Sequence, residues 1–460
     1  MTTWIDRLYP EQRPALELVT SRAGTMLLGD TGVGKTYVTL AAIEKLCPAL
    51  TLLVVPLTSI DITWSPKLAQ MPAGFEILRD VGDLPRRPPN ASASSSAPFR
   101  GIILLLHMQA FVKHSRMLSR KLWDLVVIDE SQVLKARNSG FSRAARRLRH
   151  ARRRLALSAT PIDKTPIDLF AQMRFVDHTI LGDSFTAFAE EYCYRGGWKG
   201  KKWIFHKHKM DAFLERIRPA VFRLTKEFQS LPPLTITPVP VQLLGAQART
   251  YERMQHHSVI NGTTARLAVT RQVKLEQITG GAIIDDTNVP TPVGRAKERK
   301  LRSLVKRLHA PVVVFCKYLH EIPIIYQVLE ERFKRVAELH GGIKGDMRTA
   351  AINHFQAGHI DALVCQVRTG GVSVEFTRSN TMIFYSFGFS LIDFEQIIGR
   401  LHRGGQTRPV TVYVLHAVDT VDDEIIAAIE DKYTIFHEVT SSIDRNQVHD
   451  TTQRIVVTAQ

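Results

Sequence analysis

The octet Gly29-Asp30-Thr31-Gly32-Val33-Gly34-Lys35-Thr36 combines three glycines with an ammonium and a hydroxyl at the spacing of a phosphate-binding loop. Glycines let successive backbone N–H groups converge on an anion, Lys35 can reach the β and γ oxygens of a triphosphate, and the Thr36 hydroxyl can hold magnesium. About ninety residues on, Asp129 and Glu130 close an apolar run. One such carboxylate suits metal ligation, and the other suits polarising an attacking water as general base. Ser158-Ala159-Thr160 ends another apolar run, and the stretch from Gln396 to Gln406 sets Arg400 and Arg403 three apart, on one face of a helix. Guanidinium forks placed there could face a γ-phosphate. Each pattern alone has a plain alternative: a glycine-rich turn, solvated acids at a strand end, a strand running into a turn, a basic helix surface.

Such groups work only if strands and helices hold them. Strand-like apolar runs recur at Thr25–Leu28, Leu52–Val55, Ile102–Leu106, Leu125–Ile128 and Leu155–Leu157, spaced for crossover helices. A second set lies at Val312–Cys316, Arg335–Leu339, Ala362–Cys365, Met382–Tyr385 and Val410–Leu415. The pattern predicts two α/β cores, residues 1–230 and 231–460. Helical insertions are expected at about 165–225 in the first and 240–300 in the second, with helices over Ile167–Val176, Asp211–Ile217, Ala246–His256 and Arg266–Ile278. The proline-rich LPPLTITPVP at 231–240 reads as the boundary, and 85–98 reads as a polar surface loop.

The chain has 460 residues, 44% apolar and 23% charged, which excludes a disordered or disulfide-scaffold protein. No apolar run reaches the roughly 18 residues of a membrane span, and the N-terminus shows no secretory leader, so an intracellular, cytoplasmic or nucleoid-associated location is expected. Four cysteines without a C-x-x-C pair leave no thiolate zinc site. The net charge of +17 points to a polyanionic partner. Residues 1–230 hold 35 basic and 21 acidic side chains, so the first half carries most of the surplus.

Taken in order, the phosphate loop, the Asp-Glu strand, the Ser-Ala-Thr strand and the Arg-x-x-Arg helix resemble the superfamily-two helicase fold, and within it the Swi/Snf-type ATPases. Leu8 to Gln12 is similar to the family's adenine-reading glutamine motif, and Val54 to Trp64 to its next motif, with one extra residue before the tryptophan. Phe222 to Lys226 with Leu231-Pro232-Pro233 resembles the segment between lobes. The most specific match is Gln396 to Val410, continued by Thr420 to Glu424.

The resemblance implies two tandem RecA-like parallel-sheet lobes, ATP and Mg2+ as cofactors, and a monomeric translocase on nucleic acid, most of all double-stranded DNA. It implies Lys35, Glu130, Arg400 and Arg403 as catalytic groups and Gln12, Gly29, Thr31, Gly32, Gly34, Lys35 and Thr36 around the nucleotide. Thr36 and Asp129 would hold the metal, and Ser158, Thr160, Gly371 and Gln396 would couple nucleotide state to movement. Thr58, Arg348 and Arg368 would touch the strand. A strand-separating helicase and a nucleotide-timed binding factor remain the alternatives.

This sequence departs from the family at Ser131-Gln132, where Ala-His is usual, and at Ser373 and Glu375, where Gly and Asn are usual; a carboxylate at 375 repels phosphate. No reader domain of the remodelling members is visible, so a bare motor is expected. Several unwinding members of the superfamily carry a β-hairpin before the arginine helix, and the 25 positions from Gly371 to Gln396 leave no room for one.

Two basic stretches need weighing. FSRAARRLRHARRR at 141–154 holds seven arginines opposite an apolar helix face, either solvated or on phosphate. RGGWKGKKWIFHKHK at 195–209 reads as a glycine-hinged loop or hairpin in which Lys199, Lys201 and Lys202 could meet phosphates and Trp203 could stack on bases or pack beneath. The helix Lys300–His309, with Leu301, Leu304, Val305 and Leu308 inward, reads as structural. The histidines show no metal-ligand spacing, and Trp4 is expected to pack as a staple.

Overall fold

The computed structural model describes all residues except 1–2, 86–99, 198–199, 227–229, 257–258, 261–262, 265–267, 286, 288, 344, 368–374 and 444–460. Arg368, Gly371, Ser373, Lys199 and almost all of the loop expected at 85–98 therefore lie outside the described residues. The chain divides into two units near residue 230, with residues 432–443 grouping with the first.

Unit 1 is built on a seven-stranded sheet in which every pairing is parallel. In chain order its strands are β1 (Gly24–Gly29), β2 (Leu50–Val55), β3 (Phe75–Leu78), β4 (Gly101–His107), β5 (Leu125–Ile128), β6 (Arg153–Ser158) and, after a separate hairpin, Val221–Leu224. The order across the sheet is β3-β4-β2-β5-β6-β1 and then Val221–Leu224. Side chains alternate between faces, and both faces are covered: Met26, Leu52, Val54, Leu104 and Val126 enter one core, while Leu27, Leu53, Val55, Leu105 and Val127 enter the other. Burial on both faces is why these strands read as unbroken apolar runs. The carboxyl ends of β1, β2, β5 and β6 run into Asp30, Pro56, Asp129 and Ala159, so four candidate segments share one edge.

Unit 2 carries a six-stranded parallel sheet, in order Leu234–Val241, Val410–Ala417, Thr381–Phe384, Val312–Cys316, Ala362–Gln366, Val336–Leu339. The stretch read as a proline-rich boundary is thus an edge strand. Pro238 and Pro240 are two apart, so their missing N–H groups fall on the same side, which an edge strand can turn away from its neighbour. Helices Gly245–His256 and Ala268–Gly280 lie between the edge strand and Val312–Cys316.

The arginine-rich helix is shorter than its pattern predicts. It spans Gly140–Arg146, and Arg153 already belongs to β6. The arginines of the stretch beyond the helix are engaged within the unit: Arg147 donates to Ser115 Oγ, Arg153 to Arg22 O, Arg154 to Val176 O, and Arg152 pairs with Asp124. No helix among the described residues is long and apolar enough to cross a membrane.

Candidate nucleotide-binding site

The loop between β1 and the helix Lys35–Leu46 takes its shape from its glycines. Gly32 and Gly34 sit at φ 90° and 89°, the left-handed region. A Cβ on Gly34 would lie 2.2 Å from Gln12 Nε2. Gln12 is buried, its Nε2 donates to Val33 O at 2.7 Å, and its Oε1 accepts from the Tyr9 amide at 3.0 Å. The glutamine expected at adenine is thus also a brace for the loop. Lys35 Nζ turns inward to Gly29 O and Asp30 O. Burial pushes its pKa down, while Glu130, then Asp129 and Asp30, oppose the shift. Thr31 and Thr36 are half-buried at the loop and at the helix start.

At the end of β5, burial pushes Asp129 up to about 6, aided by Glu130 and opposed by the Trp64 indole and by Lys35. Trp64 is fully buried and donates Nε1–H to Asp129 Oδ2 at 3.0 Å; the Glu130 amide donates to Oδ1 at 3.0 Å. Glu130 adopts φ 53°, a costly conformation for a residue with a Cβ. Its carboxylate accepts from Gln132 Nε2 at 2.6 Å; Gln132 Oε1 accepts from Ser158 Oγ at 2.7 Å; Ser158 Oγ accepts from the Thr160 amide at 3.2 Å. Glu130 is therefore wired to the Ser-Ala-Thr segment through Gln132, one of the departures from the family pattern. Sequence reading left both Trp64 and Gln132 out of the site. Each acts across tens of residues, and only an unusual side chain inside a recognised motif hinted at them.

Trp4 is buried beside Tyr37 (ring centroids 5.4 Å) and its amide donates to Glu44, the packing role expected of it. Thr58 lies half-buried on the short helix Leu57–Ser59 that follows β2.

In unit 2, Arg400 and Gln396 lie on the helix Leu391–Leu401, and Arg403 follows it. Arg403 Nη1 pairs with Glu375 Oε1 at 3.0 Å. Gln406 is buried and fastens the segment after the helix, donating to Ser379 O at 2.6 Å and accepting from the amides of Thr407 and Arg408. Arg348 bends back onto His340 O and Ile343 O.

Cys193–Gly196 and Lys202–Phe205 pair as an antiparallel hairpin, and a turn follows at Lys207–Lys209. Lys201 and Lys202 are exposed, whereas Trp203 packs against the core with the Arg195 guanidinium 3.8 Å from its ring centre.

Residues 12–283 match the model of the SNF2-related domain, and 296–405 match that of the helicase conserved C-terminal domain. A Bacillus subtilis protein named for ATP-dependent helicase/translocase activity is 24% identical over 91% of this chain and 47% of its own length. The chromodomain-helicase-DNA-binding protein 1-like of Danio rerio is 24% identical over 88% of this chain and 41% of its own. The chain thus spans less than half the length of these relatives. A solved structure, the Sulfolobus solfataricus SWI2/SNF2 ATPase core in complex with dsDNA, aligns over 97% of this chain and 96% of that one, with TM-score 0.42 and 21% identity.

Proposed function

The chain belongs to the SNF2-related family, and on that premise we propose that it is a nucleic-acid-stimulated ATPase that moves along double-stranded DNA and remodels DNA or protein–DNA complexes. The observation that carries the reading is the convergence of Lys35, Asp129 and Glu130, close enough for Lys35 to feel both carboxylates, at the carboxyl edge of one parallel sheet. The basic surplus of 17 charges and the name of the Danio relative support DNA as the partner. The chain is expected to act as a monomer.

A triphosphate fits the loop: left-handed glycines turn backbone N–H groups toward an anion at a helix N-terminus, and Lys35 has a short way to swing from loop carbonyls to phosphate oxygens. Magnesium fits the hydroxyl of Thr36 and the carboxylate of Asp129, both hard oxygen donors, and would supply charge neutralisation on the phosphates. Trp64 would orient that carboxylate. Glu130 would take the proton of the attacking water while Gln132 fixes its orientation. Arg400 and Arg403 would steady the charge on the transferred group. Thr58, Arg348, Arg368, Lys201 and Lys202 are the proposed strand contacts.

The test is ATP turnover with single-stranded DNA, duplex DNA and duplex RNA. Duplex DNA is expected to stimulate most, Lys35→Ala to abolish turnover, and Glu130→Gln to abolish it while still binding the nucleotide. Near-normal turnover in either variant overturns the site.

A further inference from the structure

The hairpin Cys193–Gly196/Lys202–Phe205 has two unlike faces. Cross-strand pairs are Cys193 with Phe205, Tyr194 with Ile204, Arg195 with Trp203 and Gly196 with Lys202. Alternation sends Cys193, Phe205 and Trp203 inward, where the first two are buried and Trp203 is capped by Arg195. The other face holds Tyr194, 45% exposed, and Ile204, 38% exposed. Gly196 keeps this face low, since a Cβ there would lie 2.4 Å from Ile204 Cδ1.

From Tyr194 the rings continue. The His206 ring lies 4.9 Å from Tyr194 and the exposed His208 ring 4.8 Å beyond it, centroid to centroid. Three rings in a row at that spacing are long enough to receive more than one base. Lysines flank them. Lys202 shares the face, and Lys207 and Lys209 alternate with the histidines; residues 193–210 contain six Lys or Arg and no Asp or Glu. Arg216 neutralises the neighbouring Glu191 at 2.9 Å.

We propose that this outward face is a stacking site for an unpaired DNA strand, with Tyr194, His206 and His208 as the platform and Lys202 and Lys207 on its phosphates. The assignment rests on the reading of the chain as a DNA-acting ATPase and names a second form of DNA it holds. Base pairs in a duplex already stack on each other, so exposed rings gain most from bases that are free. Trp203 is committed to the core. Bases meet the tyrosine and histidines instead.

The experiment is fluorescence anisotropy without nucleotide, using a labelled oligo-dT of roughly 20 nucleotides, a length covering one such site, and a duplex of the same length. Tyr194→Ala/His206→Ala/His208→Ala is expected to weaken oligo-dT binding about tenfold or more and to leave duplex binding unchanged, with thermal unfolding as in the unaltered chain. Tyr194→Phe/His206→Phe/His208→Phe, which keeps the rings, is expected to restore oligo-dT binding. Unchanged oligo-dT affinity in the alanine variant, an equal loss on oligo-dT and duplex, or no rescue by phenylalanine would each overturn the proposal. Duplex-stimulated ATP hydrolysis by the unaltered chain tests the motor reading separately, so failure of one is not mistaken for failure of the other.

Discussion

Arg403 and Glu375 form an ion pair at 3.0 Å, with Arg403 mostly covered and Glu375 more than half exposed. Glu375 stands where the family usually has Asn, and as an exposed partner it contributes little to stability. Its effect falls on the arginine instead: a guanidinium engaged with a carboxylate must leave it before it can meet a phosphate. Glu375→Asn is therefore expected to raise duplex-stimulated turnover several-fold, whereas Arg403→Ala cuts it by about 10³ to 10⁵, the usual worth of an arginine finger. Steady-state ATPase assays of both variants check this, and turnover in Glu375→Asn at or below the parent level would mean that the pair does not restrain Arg403. The candidate groups Lys35, Asp129, Glu130, Arg400 and Arg403 are proposed from the order of the motifs along the chain and the resemblance it carries, since each pattern alone has a plain alternative. Trp64 and Gln132 were not legible in this way. Their roles are hydrogen bonds made across 65 and 26 residues of chain, which no local pattern encodes.

Among the elements, strands buried on both faces were the legible ones; Leu125–Ile128 and Val312–Cys316 match the sequence reading residue for residue. Leu234–Val241 was not, because two prolines argue against a strand unless it lies at an edge, and only tertiary context supplies the edge. The arginine-rich helix failed for the opposite reason. Its apolar spacing continues past the helix end, since Leu148 and Ala151 are buried from turns rather than from helix.

A third case is Glu321, first residue of the helix Glu321–Glu330, on which three elements converge. Gly280, the last residue of another helix, leaves only enough room for Oε1, and Oε2 accepts from Ser386 Oγ and the Tyr318 amide. Burial pushes Glu321 up to about 7, against those two donors and Lys297, which favour the ionised form. A folded-state value above the unfolded one means that this group's contribution is complete below about pH 4.5 and is lost as pH rises through 7. The shift is worth about 3 kcal/mol. Glu321→Gln cannot ionise, so the Tm of the variant relative to the parent is expected to rise from pH 5 to pH 8. An equal difference at both pH values would show that Glu321 carries no proton in the fold.

At the scale of the molecule the question is what a step of the proposed motor would do to DNA. Each unit is built on a parallel sheet, and in the first the candidate nucleotide-binding segments share the carboxyl edge. Several unwinding members of the superfamily that the sequence resembles insert a β-hairpin before the arginine-bearing helix. Here the described residues from 375 to the helix Leu391–Leu401 hold one strand, Thr381–Phe384, and its connection to the helix. Two further strands of about five residues and a turn would need at least a dozen more. The hairpin at 193–205 is no substitute in its chemistry, because exposed rings flanked by lysines hold bases that are already free, whereas opening a duplex costs about 1.4 kcal/mol per base-pair step. The chain is therefore expected to displace a triplex-forming strand or a bound protein from duplex DNA in an ATP-dependent manner, and to release no strand from a plain forked duplex. Gel assays of labelled triplex and fork, run with the parent and with Lys35→Ala, check both halves. Efficient fork unwinding at low salt would refute this, and loss of that activity in the Tyr194, His206 and His208 alanine variant would locate the wedge at the stacking face.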